Sequence, residues 1–433
     1  MPPCDTVTAV ARRTGNRYAA WYEPQDFFPD PMNATATGFD PQPLMSLAGL
    51  FRRVQAGFPL AELVTRAMQH PDDAGLLMNL AQILQLTGNR EGGLDMQQRA
   101  LHRCALYHVA ASQQPARLRL LVLMQPGDMM DNTPVDFLLE HSDVDMYWLY
   151  LQPHQPLPRQ LPPHDVLFVA IGESTASKPW LEQLATQLSG WPRPVINDPR
   201  SIVQLARHQL HTLLGAIPTL YVPATHLLSR DALSAPATGH APLPGTAFPC
   251  IIRPLDAHGG RGLAKIESPQ QLADYLAGQA ATHFYLASFV DYRSADGQHR
   301  KYRIALCNGR AYACHMAIAA EWMVHYKDAG MDTTPSKREE EAVFMQTFDS
   351  GFGVRHQDAL QAIARRTGLD YVVMDCAETA DGRLLVFELD NRAFVHAIDA
   401  PEMFPYRAPV MKRLFTSFRQ LLDDAAARLP QAT

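Results

Sequence analysis

YVVMDCAETADGRLLVFELDN, Tyr371–Asn391, is the stretch whose reading decides the fold. Two strand-like runs flank Asp381-Gly382, and Asp-Gly between apolar runs signals a two-residue hairpin loop. With those two residues as the loop, Asp375 lies six positions before Asp381 and Glu388 six after Gly382, so the two acids face each other. Asp390 lies two residues beyond Glu388 and shares its face, because strand side chains alternate. Like charges directly opposite one another destabilise a sheet. Val372, Val373, Leu384, Leu385, Val386 and Phe387 make the surroundings apolar on both sides, which weighs against a solvated acidic face. Something positive should therefore sit between the acids. A hard divalent cation such as Mg²⁺, bound with a polyphosphate, is the natural candidate.

The bulk properties narrow the classes. A chain of 433 residues has room for roughly two to four domains with real cores. Hydrophobic residues make up 47% and charged residues 19%, which is ordinary globular composition. The net charge is −6 and no long basic run appears, so neither nucleic acid nor an anionic membrane is the expected partner. No apolar run approaches a membrane span, and MPPCDTVTAVARRTGNRYAA at the start lacks the apolar core of a signal peptide. Of the six cysteines, Cys250, Cys307, Cys314 and Cys376 lie in apolar strand-like runs, while Cys4 and Cys104 do not; there is no CxxC. Such cysteines act as small buried hydrophobes, which favours a reducing, cytoplasmic location over a disulfide framework.

Residues 1–43 read as an irregular arm, with Trp21, Tyr22, Phe27 and Phe28 available to pack on the body. Residues 44–112 are helical. PDDAGLLMNLAQILQLTGNREGGLDMQQRAL, opened by Pro71 and Asp72 and turned at Gly88-Asn89, resembles a tetratricopeptide-type helical hairpin. One and a half such repeats are too few for a free solenoid, so this region is expected to dock on the rest of the chain, to make a homodimer or to bind a partner. An ordinary helical hairpin is the alternative. In residues 117–200, RLRLLVLM, VDMYWLYL and HDVLFVAIG alternate with helical segments, the pattern of a small parallel α/β domain. Gly172 falls just past a buried strand, where such folds place ligands. No GxGxxG is present, which argues against a dinucleotide site.

Residues 201–425 form the last region. Ser201–Leu214 reads as an amphipathic helix and 231–244 as a surface loop. A hairpin turns at Asn308-Gly309, Lys337–Glu341 reads as a solvated helix start with acids near its N-terminus, and a final helix runs from Ala408 to about Arg428. Within this region His258-Gly259-Gly260-Arg261-Gly262 joins two strands as a flap would. Its glycines permit positive φ and close backbone approach to a ligand, and Arg261 adds charge for phosphate oxygens. No Gly-Lys-Ser/Thr follows, so it is not a Walker loop, and a plain hairpin loop is the competing reading. Arg253 ends the preceding strand and could reach a phosphate, or make a surface ion pair. Trp322, Met323, Tyr326 and Met331 are core residues or the lining of an acceptor pocket, and His396 and Asp399 are candidates for substrate contact.

In this order the pieces resemble the C-terminal half of the ATP-grasp superfamily, nearest its glutathione-synthetase and ribosomal-protein glutamate ligase branch. The matching residues are Ile252-Arg253-Pro254, Gly259–Gly262, Tyr285–Val290, Arg303 within Lys301-Tyr302-Arg303-Ile304, Asp375, and Glu388-Leu389-Asp390-Asn391. The resemblance runs from Leu118 to Leu422, with 117–200 as the domain that precedes the ligase body. It implies an α/β architecture, α+β in the C-terminal half: helical hairpins, a small parallel domain, then an ATP-grasp fold at 201–425 with its flap at about 246–290.

The resemblance also implies roles. Asp375, Glu388, Asp390 and Asn391 would hold Mg²⁺, with Mn²⁺ as a substitute. Arg253 and Arg207 would contact phosphates. His258, Gly259, Gly260, Arg261 and Gly262 would close over the triphosphate. Ser288, Phe289 and Val290 would read adenine through backbone groups, and Asp291 would hold the ribose. Arg303 would face the γ-phosphate and an acyl-phosphate intermediate, where cationic stabilisation is needed. There are departures. Arg253 stands for the usual lysine. Gln209 stands where the family often has another lysine, so Arg207 substitutes. Glu-x-Asn becomes Glu-x-Asp, Ser288 replaces a hinge acid, and a second arginine expected near Ala317 is absent, leaving His315, His325, Lys327 or Arg392 to serve. The implied activity is ATP-dependent ligation of a carboxylate to an amine, on a small molecule, peptide or protein. The alternatives are a nucleotide-binding regulatory or scaffold protein with a degenerate site, and an ATP-dependent kinase.

Overall fold

The computed structural model describes residues 41–57, 60–153, 155–257 and 259–428. The expected arm falls almost wholly outside the described residues, as does His258. The chain divides into two compact units: Met1–Ile171 with Gly190–Val195 and Asp423–Thr433, and Gly172–Ser189 with Ile196–Leu422.

The first unit is built on a six-stranded sheet of β1 (Gln42–Pro43), β2 (Leu106–Val109), β3 (Leu118–Met124), β4 (Val144–Tyr150), β5 (Val166–Val169) and β6 (Val195–Ile196), in the order β1-β2-β4-β3-β5-β6. β3 runs parallel to β4 and β5, as the strand–helix alternation suggests, while β2 runs antiparallel to β4. Among the described residues the first four helices lie between β1 and β2, so the helical stretch shares one sheet with the strands of the α/β stretch. Asp73, one residue later than expected, caps the helix Ala74–Leu86, accepting from the Leu76 amide at 2.8 Å. Asn89 caps Arg90–Leu101 in the same way. These two helices pack closely at Gly93, where a Cβ would lie 2.8 Å from the Ala81 carbonyl oxygen. Docking is polar as well as apolar. Gln85 and Gln97 side-chain oxygens each accept a backbone N–H at 2.7 Å, from Met129 and Gly127. The buried Asp136 carboxylate accepts the Leu47 and Ala48 amides at a helix start.

The second unit holds two antiparallel-dominated sheets. One is β10-β9-β11-β8, from β8 (Thr225–Ser229), β9 (Cys250–Pro254), β10 (Ala264–Ile266) and β11 (His283–Ser288). Helices Arg230–Ala237 and Pro269–Ala277 bury Leu233, Leu272 and Leu276 against Ile252, Phe284 and Leu286 of this sheet. The first of these helices corrects the expected surface loop at 231–244; Ser229 caps it through the Ala232 amide. The other sheet is β13-β12-β14-β15-β7, from β7 (Leu220–Tyr221), β12 (His299–Cys307), β13 (Arg310–Ala319), β14 (Tyr371–Glu378) and β15 (Leu384–Asp390).

The expected helix at Ser201–Leu214 is broken. A turn at Pro199–Ile202 and a 3₁₀ turn at Val203–Leu205 precede an extended Ala206, so the α-helix begins at Arg207. Glu341, read as solvated, is fully buried. Cys250, Cys307, Cys314 and Cys376 are buried free thiols. Among the described residues no helix is long and apolar enough to cross a membrane.

The two Asn/Asp-Gly turns behave differently. Asn308 and Gly309 both have positive φ, 51° and 72°, and form the two-residue loop that pairs Cys307 with Arg310. At Asp381-Gly382 the loop has three residues, because the Thr379 amide donates to the Arg383 carbonyl at 3.0 Å, with Gly382 at φ 83°. That register alone would place Phe387 opposite Asp375. A bulge corrects it: Cys376 pairs with Val386, Phe387 is extra, and Asp375 pairs with Glu388. The expected acid pair is present, but a longer loop and a compensating bulge produce it.

Candidate functional site

Four polar residues form one row across four adjacent strands. His315 on β13 pairs with Arg303 on β12, Arg303 with Asp375 on β14, and Asp375 with Glu388 on β15. Directly paired residues share a face, so all four project to the same side of the sheet. A register shift adjoins the row on each outer pair, between Arg303 and Ile304 and between Asp375 and Cys376. Bulges of this kind re-aim side chains and concentrate near active sites.

Asp375, Glu388 and Asp390 each meet a base. Arg303 Nε donates to Asp375 Oδ1 at 2.8 Å and its Nη2 to Oδ2 at 3.1 Å, while Lys301 Nζ donates to Oδ2 at 3.0 Å. Burial alone would raise the Asp375 pKa, but the charges of Arg303 and Lys301 hold it well below the usual carboxylate range. Burial opposes the Arg303 charge in turn, and Asp375 more than offsets it. Arg303 also donates to the Phe394 carbonyl at 3.2 Å. Arg207, the first residue of its helix, donates to the Glu388 carboxylate. The Arg392 amide donates to Asp390 Oδ1 at 2.9 Å, with its guanidinium 3.6 Å from the same oxygen. His315 is pushed well below the usual imidazole range by burial and by Arg303, and its Nδ1 has no hydrogen-bond partner.

The glycine loop connects β9 to β10 and carries three positive-φ glycines, Gly259, Gly260 and Gly262 at 62°, 73° and 65°. A Cβ on Gly259 or Gly260 would meet open space, whereas one on Gly262 would lie 2.7 Å from the Pro254 ring. Arg261 is exposed. Arg253 donates to the Ala257 carbonyl inside this loop, while its buried Nε has no partner. Burial, then the nearby charge of Arg207, lowers its pKa to about 9. The loop's Asp256 accepts from the Thr175 amide at 3.3 Å.

The expected adenine hinge is partly committed elsewhere. Ser288 hydroxyl pairs with Thr246 at 2.8 Å, and the Phe289 amide donates to the Pro249 carbonyl at 3.1 Å. The Lys265 ammonium lies 4.3 Å from the centre of the Phe289 ring. Val290 packs in a core cluster with Tyr292 and Leu385. Asp291 is engaged at the surface by the Arg293 guanidinium at 2.5 Å.

Three groups near the row escaped the reading of the sequence. Lys301 lies inside the motif Lys301-Tyr302-Arg303-Ile304, whose resemblance implies a role only for Arg303. Glu173 directly follows Gly172, the flagged ligand position. Its amide is 3.4 Å from Asn391 Oδ1, and its carboxyl is pushed up to about 7 by burial, with Asp256 and Asp390 adding to the effect against Arg392 and Arg207. Glu341 accepts from Arg407 at 2.8 and 2.9 Å, from Tyr406 at 2.5 Å, and from Tyr326 and the Met316 amide at 3.1 Å. This ties Tyr326, which contacts the His315 ring edge-on at 4.8 Å, to the final helix. Isolated acids in polar runs carry no periodic signal, so nothing in the pattern distinguished these from solvated ones.

The donor set does not fit a resident metal. Among the described residues no three His, Cys, Asp or Glu side chains converge on a common point. The oxygens of Asp375 are engaged by two cations, and Glu388 and Asp390 each have an arginine. The positive charge expected between the acids is supplied by Lys301, Arg303, Arg207 and Arg392.

No protein-family model matches the sequence, and no curated protein does. Solved structures share a loose likeness. The D-Ala:D-Ser ligase VanG of Enterococcus faecalis is 11% identical over 71% of this chain and 99% of its own, with a TM-score of 0.45. D-alanine–D-alanine ligase of Bacillus anthracis, complexed with ATP, is 12% identical over 72% and 98%, at 0.42. A RimK domain ATP-grasp protein of Sphaerobacter thermophilus is 13% identical over 70% and 99%, at 0.41. At these scores the likeness carries no functional argument.

Proposed function

We propose that the second unit is an ATP-grasp-type ligase that joins a carboxylate to an amine at the expense of ATP. The single observation that carries this reading is the row His315–Arg303–Asp375–Glu388, flanked by Arg207 and in the same unit as a glycine loop that Arg253 of β9 braces. Polyphosphate chemistry requires positioned cations and backbone amides more than it requires a covalent group from the protein. Arg253 and Arg207 are the candidates for the phosphates, and the loop amides are candidates to close over them. Mg²⁺ enters as the counter-ion of the nucleotide, as part of the substrate.

In the proposed reaction a substrate carboxylate oxygen attacks the γ-phosphorus. The bond to the β–γ bridging oxygen breaks, leaving ADP and an acyl phosphate. The amine nitrogen then attacks the acyl carbon, phosphate leaves, and the amine proton passes to a nearby acceptor. Arg303 would steady the charge that develops on the tetrahedral carbon's oxygen, the role preorganised donors fill in acyl transfer. His315, held neutral, would line the same face. The helical hairpins of the first unit are the candidate surface for a peptide or protein substrate, by analogy with helical repeats, and a homodimer in the cytoplasm completes the reading.

The test is ADP release from ATP with and without candidate carboxylates and amines, followed by product mass. Release that needs both partners supports ligation. A stable phosphorylated product without an amine supports a kinase. Nucleotide binding with no release supports a regulatory or scaffold protein.

A further inference from the structure

Beside the row lies one residue, Lys301, whose placement conflicts with the metal arrangement the acids suggest. Lys301 precedes Arg303 by two positions on β12 and therefore shares its face. Its partner on β13 is Ala317, whose small side chain leaves the lysine free to lie over the sheet. Lys301 Nζ reaches Asp375 Oδ2 at 3.0 Å, where Arg303 already spans both oxygens. A carboxylate offers about four lone-pair directions, and these three N–H contacts leave Asp375 little to offer a further cation. Its side chain is only 4% exposed, and that of Lys301 18%.

We infer that the Lys301 ammonium takes the place a divalent ion would occupy at Asp375, making this acid an anchor for basic side chains and not a metal ligand. This rests on the nucleotide reading above, since a polyphosphate is what would bring a metal to the row. A lysine ammonium is a compact point charge and neutralises a carboxylate without the geometric demands of Mg²⁺. A metal could bind Asp375 only by displacing the lysine, stranding a mostly buried cation beside Arg303, and breaking one partner off a buried pair is strongly unfavourable. Four basic side chains already meet three carboxylates here, so the acids are charge-compensated without a divalent ion.

The experiment is a Mn²⁺ titration of the full chain at saturating AMP-PNP, with free Mn²⁺ read by electron paramagnetic resonance and AMP-PNP binding read by calorimetry. Asp375→Asn is expected to leave the bound Mn²⁺ per chain unchanged. Lys301→Met, which keeps the aliphatic bulk, is expected to add one Mn²⁺ per chain, and the Lys301→Met/Asp375→Asn double variant to lose it again. A fall in bound Mn²⁺ in Asp375→Asn overturns the inference, as does an unchanged count in Lys301→Met. The latter stands as a test even if Asp375→Asn, which leaves two cations facing a neutral amide, fails to fold. If the unaltered chain binds no AMP-PNP, the nucleotide reading falls and the inference falls with it.

Discussion

Arg207 donates to the Glu388 carboxylate across 181 positions of sequence. The contact fastens the first residue of a helix, just after the extended Ala206, to the strand that completes the polar row. Both side chains are about three-quarters covered, at 20% and 26% exposure. It is the point at which a break in local structure acquires a chemical purpose.

Glu388→Gln should abolish ATP-dependent product formation and leave the fold intact, because the amide keeps the shape and removes the charge. Arg207→Met should weaken nucleotide binding and also cost stability, since it strands an acid that is about three-quarters covered. The double variant should recover part of that cost, with a coupling of roughly 0.5–3 kcal/mol. Urea unfolding of the four proteins and product assay on each provide the measurements. Unchanged turnover in Glu388→Gln would sink the ligase assignment at this row.

The flap glycines should differ among themselves. Gly260→Ala bears only the strain of a positive φ, roughly 1–2 kcal/mol, because its Cβ meets open space. Gly262→Ala adds a clash with the Pro254 ring. We expect Gly262→Ala to weaken AMP-PNP binding more than Gly260→Ala, by calorimetry. Trypsin cleavage after Arg261 should slow when AMP-PNP is present, and equal cleavage rates would contradict closure of the loop over nucleotide.

Glu173 gives the chain a pH dependence of definite sign. Its carboxyl titrates at about 7 in the folded protein because of burial, with Asp256 and Asp390 contributing. An unfolded glutamate titrates near 4.3, so the folded state binds this proton more tightly. The contribution is complete below about pH 4.3 and is lost as pH rises to about 7. Linkage puts it on the order of 3 kcal/mol. Glu173→Gln should therefore be more stable than the unaltered protein at pH 8 and nearly equal at pH 4. Parallel denaturation curves at both pH values would refute this.

The Glu341–Arg407 pair predicts a large structural effect. Both side chains are almost fully buried, at 0% and 6% exposure. Removing one partner of such a pair costs about 3–5 kcal/mol. Arg407→Met should lower the unfolding midpoint accordingly and should loosen Tyr326 against His315. A change below about 1 kcal/mol, well under that range, would show that the pair contributes little.

Local chemistry made some of this legible from residues alone. Asn308-Gly309 called its own turn because both residues accept positive φ. Most strands of the second unit followed from apolar runs, but Leu220–Tyr221 and Thr225–Ser229 lie in a Pro-rich stretch that reads as a connection; the acid pair followed from counting outward from Asp381-Gly382. That count reached the right partners by two offsetting departures, since neither loop length nor bulge leaves a mark in the pattern. The basic partners were harder. Arg207 looked like the middle of a helix until Ala206 proved extended, and Lys301 and Glu173 carry no periodicity. Their significance comes from residues over 70 positions away, Asp375 for Lys301 and Asn391 for Glu173, and contacts at that range are not written in any window of sequence. The same holds for Gln42–Pro43, two residues whose membership of the first sheet depends on a strand beyond four helices.

Phe387 is the extra residue of the β14–β15 ladder, and its ring packs 5.1 Å from that of Tyr292. Consider the chain with Phe387 deleted. The regular ladder set by the loop would then bring Asp375 opposite the next residue, which is again the glutamate. The polar row is thus insensitive to a single-residue deletion at its own edge, while the aromatic contact with Tyr292 is lost outright. Deletion at this position acts on the core and spares the row, so a shortened variant should melt earlier while its nucleotide affinity is unchanged.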